Sequence, residues 1–241
     1  DRSGGGPGIR AQTFCKEAFE FRVAVDWCGT WVYQRVPSPS VEIVSGPAHT
    51  LVVVGPSETA PGEETWVGVK AEDVWGNPSR AYGGEVHIDG GGLIGLPEVF
   101  RFTAEHQGVK RFEGVKAPEV GVYRACVEDR SGDMRAQGNP LVCVVEHQAV
   151  QPFWGDLHGQ SEETVGTNPV SSYFRFARES ALVDFVGHQG NDFQITQEVW
   201  QEIRGQANAQ NDPGRFVAYV GWEWSGNTPL GGDHNVYYPG D

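Results

Sequence analysis

From about Val41 to Glu146 the chain reads as short runs of alternating apolar and polar residues separated by turns. "ETWVGVKAED" puts Thr65, Val67, Val69 and Ala71 on one face, the period of two that a half-buried strand shows. "HTLVVVG", "GGEVHID", "GVKRFEGV", "GVYRACVED" and "NPLVCVVEH" predict further strands at regular intervals, and "WGNPS" predicts a turn because glycine, asparagine and proline favour bent backbone. After about Ala149 the rhythm changes to strand, loop, helix. "QPFWGDLHG", "LVDFVGHQGND" and "RFVAYVGWEWSG" are apolar strands ending in polar residues, and "HNVYYPG" predicts a fourth strand. Between them, Asn168 predicts an N-cap with Pro169 at the first helical position, followed by a stripe through Val170, Phe174 and Ala177. "TQEVWQEIRGQA" predicts a second helix with Val199, Trp200, Ile203 and Ala207 on its apolar side.

This pattern predicts a multidomain β plus α/β chain. Residues 1–40 form an extended lead-in packing on the next unit, with "DRSGGGPGIR" as a loop and "FEFRVAVDW" as a strand. Residues 41–148 form a β-sandwich. In it, "GVYRACV" resembles the tyrosine-corner segment of immunoglobulin-like folds, with Tyr123 before an inward Ala125. Residues 149–241 read as the first part of an α/β barrel, with polar groups at the C-terminal ends of the strands. A complete barrel needs ~200–250 residues. The 93 residues available imply truncation, with the remainder of the same protein or a second chain completing the barrel.

Composition narrows the partners. Lys and Arg number 18 against 32 Asp and Glu, a net charge of −14, which argues against nucleic acid and anionic membranes. No run is long enough to span a membrane and no signal segment opens the chain. Asp1 in place of methionine implies a processed or trimmed N-terminus. Cys15, Cys28, Cys126 and Cys143 form no C-x-x-C pair, so a zinc ribbon is disfavoured. Cys126 and Cys143 lie on strands that could be neighbours, and two buried free thiols are preferred there over a bridge.

The polar residues at the strand ends carry the chemistry: Asp156, His158 and Gln160; His188, Asn191 and Asp192; Glu223; Asp233, His234 and Asn235. Imidazole and carboxylate arriving from several strands suit a divalent metal. The opposing consideration is that a lone histidine is usually a surface residue or a hydrogen-bonded core residue. Trp222 and Trp224 flank Glu223 and should point away from it, most simply into the core. The front half has only scattered histidines, His49, His87, His106 and His147, and no catalytic constellation is expected there.

Taken together, "GDLHGQS", "DFVGHQGND", "VGWEWSG" and "GGDHNV" resemble the PHP superfamily of polymerase and histidinol phosphatase domains, and more closely a branch with an N-terminal β-domain before a PHP-like barrel. The resemblance implies a distorted (β/α)7 barrel that binds one to three divalent ions (zinc, manganese or iron) and hydrolyses a small-molecule ester, phosphoesters first. By that match His158, His188, Glu223 and His234 are metal ligands, Gln160 and Asp156 stand in or beside the ligand set, and Glu223, Asp192 and Asp233 are the catalytic carboxylates. The departures are Gln160 where the family has a second histidine, Gly187 where it has an aspartate, and Val165 near the position of another aspartate. The segment from Ala149 onward has no lysine and only Arg175, Arg178, Arg204 and Arg215, so anion attraction would rest on metal. Two rival readings stand beside this one. "GDLHG" also resembles the first motif of calcineurin-like metallophosphoesterases, whose later motifs are replaced here by "GHQGND" and "GWEWSG". The chain could also be a non-catalytic binding or scaffold protein.

Overall fold

The computed structural model describes residues 8–147, 149–226 and 231–238. The glycine-rich opening and the boundary placed at 148 therefore fall mainly outside the described residues. In the lead-in, β1 (Lys16–Glu20) pairs antiparallel with β4 (Ser40–Ile43), and β2 (Ala24–Val25) forms a small hairpin with β3 (Gln34–Arg35). The lead-in does not rest on the front half alone. The Lys16 ammonium binds the Glu162 carboxylate at 2.6 Å and also the Thr167 carbonyl, while the Asn168 amide reaches the Cys15 carbonyl at 3.1 Å.

The front half contains β5 (Thr50–Val54), β6 (Glu58–Thr59), β7 (Thr65–Glu72), β8 (Glu85–Asp89), β9 (Val99–Arg101), β10 (Val109–Val115), β11 (Gly121–Tyr123), β12 (Cys126–Asp129), β13 (Arg135–Gln137) and β14 (Leu141–Cys143). One antiparallel sheet runs β10-β7-β5 and another runs β13-β12-β8-β9. Both contribute to a single core containing Val53, Val67, Val69, Val86, Phe112 and Val127. The alternation in β7 explains this: Val67, Val69 and Ala71 are buried, while Lys70, on the other face, pairs with Glu72 at 2.8 Å. A third small sheet runs β11-β14-β6, with β6 parallel to β14. Tyr123 makes a corner, its hydroxyl donating to the Glu119 carbonyl at 2.9 Å, and Ala125 is buried. All four cysteines are free; Cys143 is buried but Cys126 is only half-buried.

The second half corrects the barrel expectation. Its strands β15 (Gly155–Gly159), β16 (Phe185–His188), β17 (Val217–Trp224) and β18 (His234–Tyr238) form one sheet in that order. The first three are parallel, but β18 runs antiparallel to β17 from the Val220–Tyr238 pair to Trp224–His234. The described residues are mostly β-sheet, with two short helices, α1 (Val170–Phe176) and α2 (Gln197–Gln210). This is an open mixed sheet and not the first part of a PHP-like (β/α)7 barrel. The physical reason is connection length. Nine residues separate Trp224 from His234, and a parallel crossover needs about a dozen or more, so the chain turns straight back.

The helices pack on the sheet through Val170, Phe174, Ile203 and Ala207 against Val186, Phe216 and Val220. Helix α1 begins one residue later than expected: Pro169 is the flanking residue, because the Asn168 side chain is committed to Cys15 and its carbonyl accepts the Glu162 N–H. In α2 the Thr196 hydroxyl caps the Val199 N–H at 3.3 Å. A π turn, Ala177–Ala181, follows α1 and ends at Leu182, whose φ is +60°. Leu182 docks on β7 where Gly68 leaves room; a Cβ at Gly68 would lie 2.3 Å from the Leu182 Cδ1. No helix among the described residues is long and apolar enough to cross a membrane.

Candidate functional site

Glu223 lies near the end of β17 and is 4% exposed. Backbone bonds from its N–H to the Gly190 carbonyl and from the Asp192 N–H to its own carbonyl, each 2.9 Å, tie it to the loop after β16. That loop supplies Asn191, whose amide donates to Glu223 Oε1 at 2.9 Å and to the Ser225 hydroxyl at 3.0 Å. The other carboxylate oxygen, Oε2, lies 2.9 Å from His158 Nε2.

His158 comes from β15, where the register with β16 is irregular. The Asp156 carboxylate accepts the His158 backbone N–H at 2.8 Å and so shapes this bend. On the far side of the ring, Asn235 Nδ2 lies 2.9 Å from His158 Nδ1. An amide nitrogen only donates, so Nδ1 accepts and Nε2 carries the proton that Glu223 receives. The result is a directed chain from Asn235 through His158 to Glu223. The His158 side chain is 55% exposed and that of Glu223 is 6% exposed, so a solvent-facing imidazole is backed by a buried carboxylate.

His188 does not join this pair. It is fully buried on the helix-facing side of the sheet, edge-on to Tyr173. Its Nδ1 accepts the Gly190 N–H at 3.3 Å, which leaves Nε2 to donate to the Ser161 hydroxyl at 2.8 Å. Burial pushes its pKa down to about 4, so the ring is neutral. Because it donates to Ser161, it does not activate that hydroxyl as a nucleophile. His234 is exposed and stacked on Trp224, with ring centroids 5.4 Å apart. The cause is strand register: Asn235 is opposite Glu223, so His234 falls on the other face with Trp224. Trp224 itself is 41% exposed and not a core residue, and Trp222 donates to the Tyr238 hydroxyl at 3.2 Å.

The remaining expected residues hold local structure. Gln160 Oε1 accepts the Thr164 hydroxyl at 2.8 Å. Asp192 accepts the Phe193 N–H at 2.8 Å and the Ser225 N–H at 3.4 Å, fixing the loop beside Glu223. Asp233 is exposed just before β18. The expected metal centre is therefore corrected: no group of three or more His, Cys, Asp or Glu arranged to hold a metal occurs among the described residues. Of His158, His188, Glu223, His234, Gln160 and Asp156, the structure joins only His158 and Glu223 by their side chains. Asn191 and Asn235 belong to the strand-end polar residues expected from the sequence, whereas Ser225 and Ser161 do not. Register was needed to place the first two.

Comparison with known proteins agrees on an extended similarity without naming an activity. Residues 120–238, just under half of the chain, match the family model described as "Protein of unknown function (DUF3604)". The chain is 21% identical over 238 residues to an uncharacterised protein of Chlamydia pneumoniae, covering 96% of this chain and 38% of that one. It is 22% identical over 243 residues to an uncharacterised protein of Chlamydia trachomatis, covering 98% of this chain and again 38% of the relative. The chain thus spans less than half the length of these curated relatives. Among solved structures, part of the chain is similar to a glycosyl hydrolase family 2 member from Bacteroides cellulosilyticus (TM-score 0.35, 12% identity, 46% of this chain and 16% of that one). Part is also similar to the PKD domain of an M14-like peptidase from a Thermoplasmatales archaeon (TM-score 0.27, 14% identity, 42% of this chain and 98% of that one).

Proposed function

We propose that these residues carry part of the catalytic centre of an ester hydrolase, phosphoesters first, built on His158 and Glu223. The observation that supports this most is the 2.9 Å contact between an exposed imidazole and a buried carboxylate. A carboxylate that accepts one ring N–H sets the tautomer and orientation of the imidazole and stabilises the imidazolium when it forms. His158 Nδ1 is then the basic nitrogen. When the Asn235 amide moves aside, Nδ1 takes a proton from a water attacking the ester, and the same proton is passed to the departing alkoxide. Asn191 and Ser225 hold Glu223 in place through Oε1. The substrate is a small ester, and the acidic chain disfavours a nucleic acid.

The two joined residues are too few for a divalent ion, since zinc centres use three or four protein ligands. The described residues alone therefore do not fit a zinc, manganese or iron site. The PHP-like motif match supports such an ion only with donors from further sequence or a second chain; bound there, it would lower the pKa of a water to ~7.

Turnover of p-nitrophenyl acetate and bis(p-nitrophenyl) phosphate tests the reading. Hydrolysis should fall about 10²-fold in His158→Ala and in Glu223→Gln. Equal turnover in the variants, or none in the native protein with manganese or zinc supplied, contradicts it. A non-catalytic binding role is the second reading, favoured by the commitment of His188 to Ser161 and of His234 to Trp224.

A further inference from the structure

At the opposite end of the parallel strands from His158 and Glu223, where β16 and β17 begin, a cleft of about 1010 Å³ opens between the two halves. Trp66 and Arg111 line it from the front half, and Phe153, Phe185 and Tyr219 from the second half. The Arg111 guanidinium lies 4.2 Å from the centre of the Trp66 ring. Its Nε is 2.9 Å from the Glu113 carboxylate but out of line for a hydrogen bond, and its two terminal nitrogens have no hydrogen-bond acceptor among the described residues.

The other charged groups of the cleft are engaged. Glu58 and Glu63 hold His147 at 3.0 and 2.9 Å, and Glu64 pairs with Lys116 at 3.1 Å. Glu113 accepts Arg215 at 2.8 Å, and Asp184 accepts the Trp154 N–H at 2.8 Å. By elimination, the strong donor left open is the fork of Arg111. A guanidinium flat on an indole presents that edge for bidentate contact with a planar oxyanion. Burial lowers its pKa, consistent with a partly desolvated cation.

We propose that this cleft binds a small monocarboxylate with an aromatic or apolar body, the carboxylate taken by Arg111 and the body lying against Phe153, Phe185 and Tyr219. The volume suits a small ligand. The acidic lining and the net charge of −14 disfavour a dianionic phosphate relative to a monoanion. This site is independent of the ester-hydrolase reading.

Benzoate titrated into the full 241-residue chain, followed by saturation-transfer NMR and calorimetry, tests it. Benzoate should bind. Binding should weaken about tenfold or more in Arg111→Gln and in Arg111→Lys, which keeps the charge but not the fork. Benzyl alcohol and phenyl phosphate should bind more weakly than benzoate, and His158→Ala should leave the benzoate affinity unchanged. Circular dichroism of both Arg111 variants checks that they fold, and Lys is the variant expected to keep the native spectrum. No benzoate binding, binding unaffected by Arg111→Lys, or benzyl alcohol bound as tightly as benzoate would overturn the proposal.

Discussion

At the scale of single residues, two histidines at similar strand ends have opposite fates, and the difference lies in which face each one occupies. Val186 and His188 are two apart in one strand and both are buried against the helices. That alternation was legible in "FVGH", and it argues for a core histidine over a ligand. Ser161→Ala would leave the His188 Nε2–H buried without an acceptor, and should cost about 1–3 kcal/mol in urea unfolding. The same histidine gives a pH dependence. Its folded pKa of about 4 lies below the unfolded value of ~6.5. As pH falls, the unfolded chain takes up the proton first, so the stabilising contribution is complete above ~6.5 and is lost progressively toward about 4. The expected loss is about 3 kcal/mol, at 1.36 kcal/mol per pKa unit. Urea midpoints at pH 7, 5.5 and 4 measure it, and a flat profile contradicts a buried neutral His188. His158 and Glu223 were legible as strand-end polar groups, but their pairing through Asn235 and Asn191 was not, because it depends on register across three strands.

At the scale of elements, the periodic segments were the most legible. The stripe Val170, Phe174 and Ala177 is buried, as are Ile203 and Ala207 of α2. Thr196→Ala should remove the α2 cap and cost about 1 kcal/mol. The barrel expectation fails at β18, which opens with its polar residues His234 and Asn235 and runs antiparallel to β17. The nine-residue connection before it was the available signal. The docking of Leu182 on Gly68 had no sequence signal, since it joins segments over a hundred residues apart. Gly68→Val should force that contact apart and destabilise the chain by about 1–3 kcal/mol, read by thermal or urea unfolding.

At the scale of the whole molecule, the lead-in touches both halves: the Asn77 side chain accepts the Cys15 N–H at 3.2 Å and donates to the Thr13 carbonyl at 2.8 Å, while Lys16 meets Glu162 at 2.6 Å. The connector between the halves is clamped at His147, whose two ring nitrogens lie 3.0 and 2.9 Å from Glu58 and Glu63. The hydrogen bond to Glu58 is the largest effect and raises its pKa; desolvation opposes it, and the hydrogen bond and charge of Glu63 add to the rise. The clamp is therefore fully formed below ~6.5 and is lost as pH rises through the raised folded value. Amide exchange in the connector should be slower at pH 6 than at pH 8 after correction for intrinsic rates, and His147→Ala should abolish the difference. Ester turnover should stay within about twofold in that variant, because His147 lies in the connector and is not joined to His158 or Glu223.

The central claim is that His158 and Glu223 act as one unit. A double-mutant cycle on kcat/KM for bis(p-nitrophenyl) phosphate tests it most directly. If the buried carboxylate works only through the imidazole, His158→Ala and Glu223→Gln should each lose about 10²-fold, and the double variant should lose no more than either alone. Losses that multiply, or a Glu223→Gln variant as active as the native protein, would contradict the account.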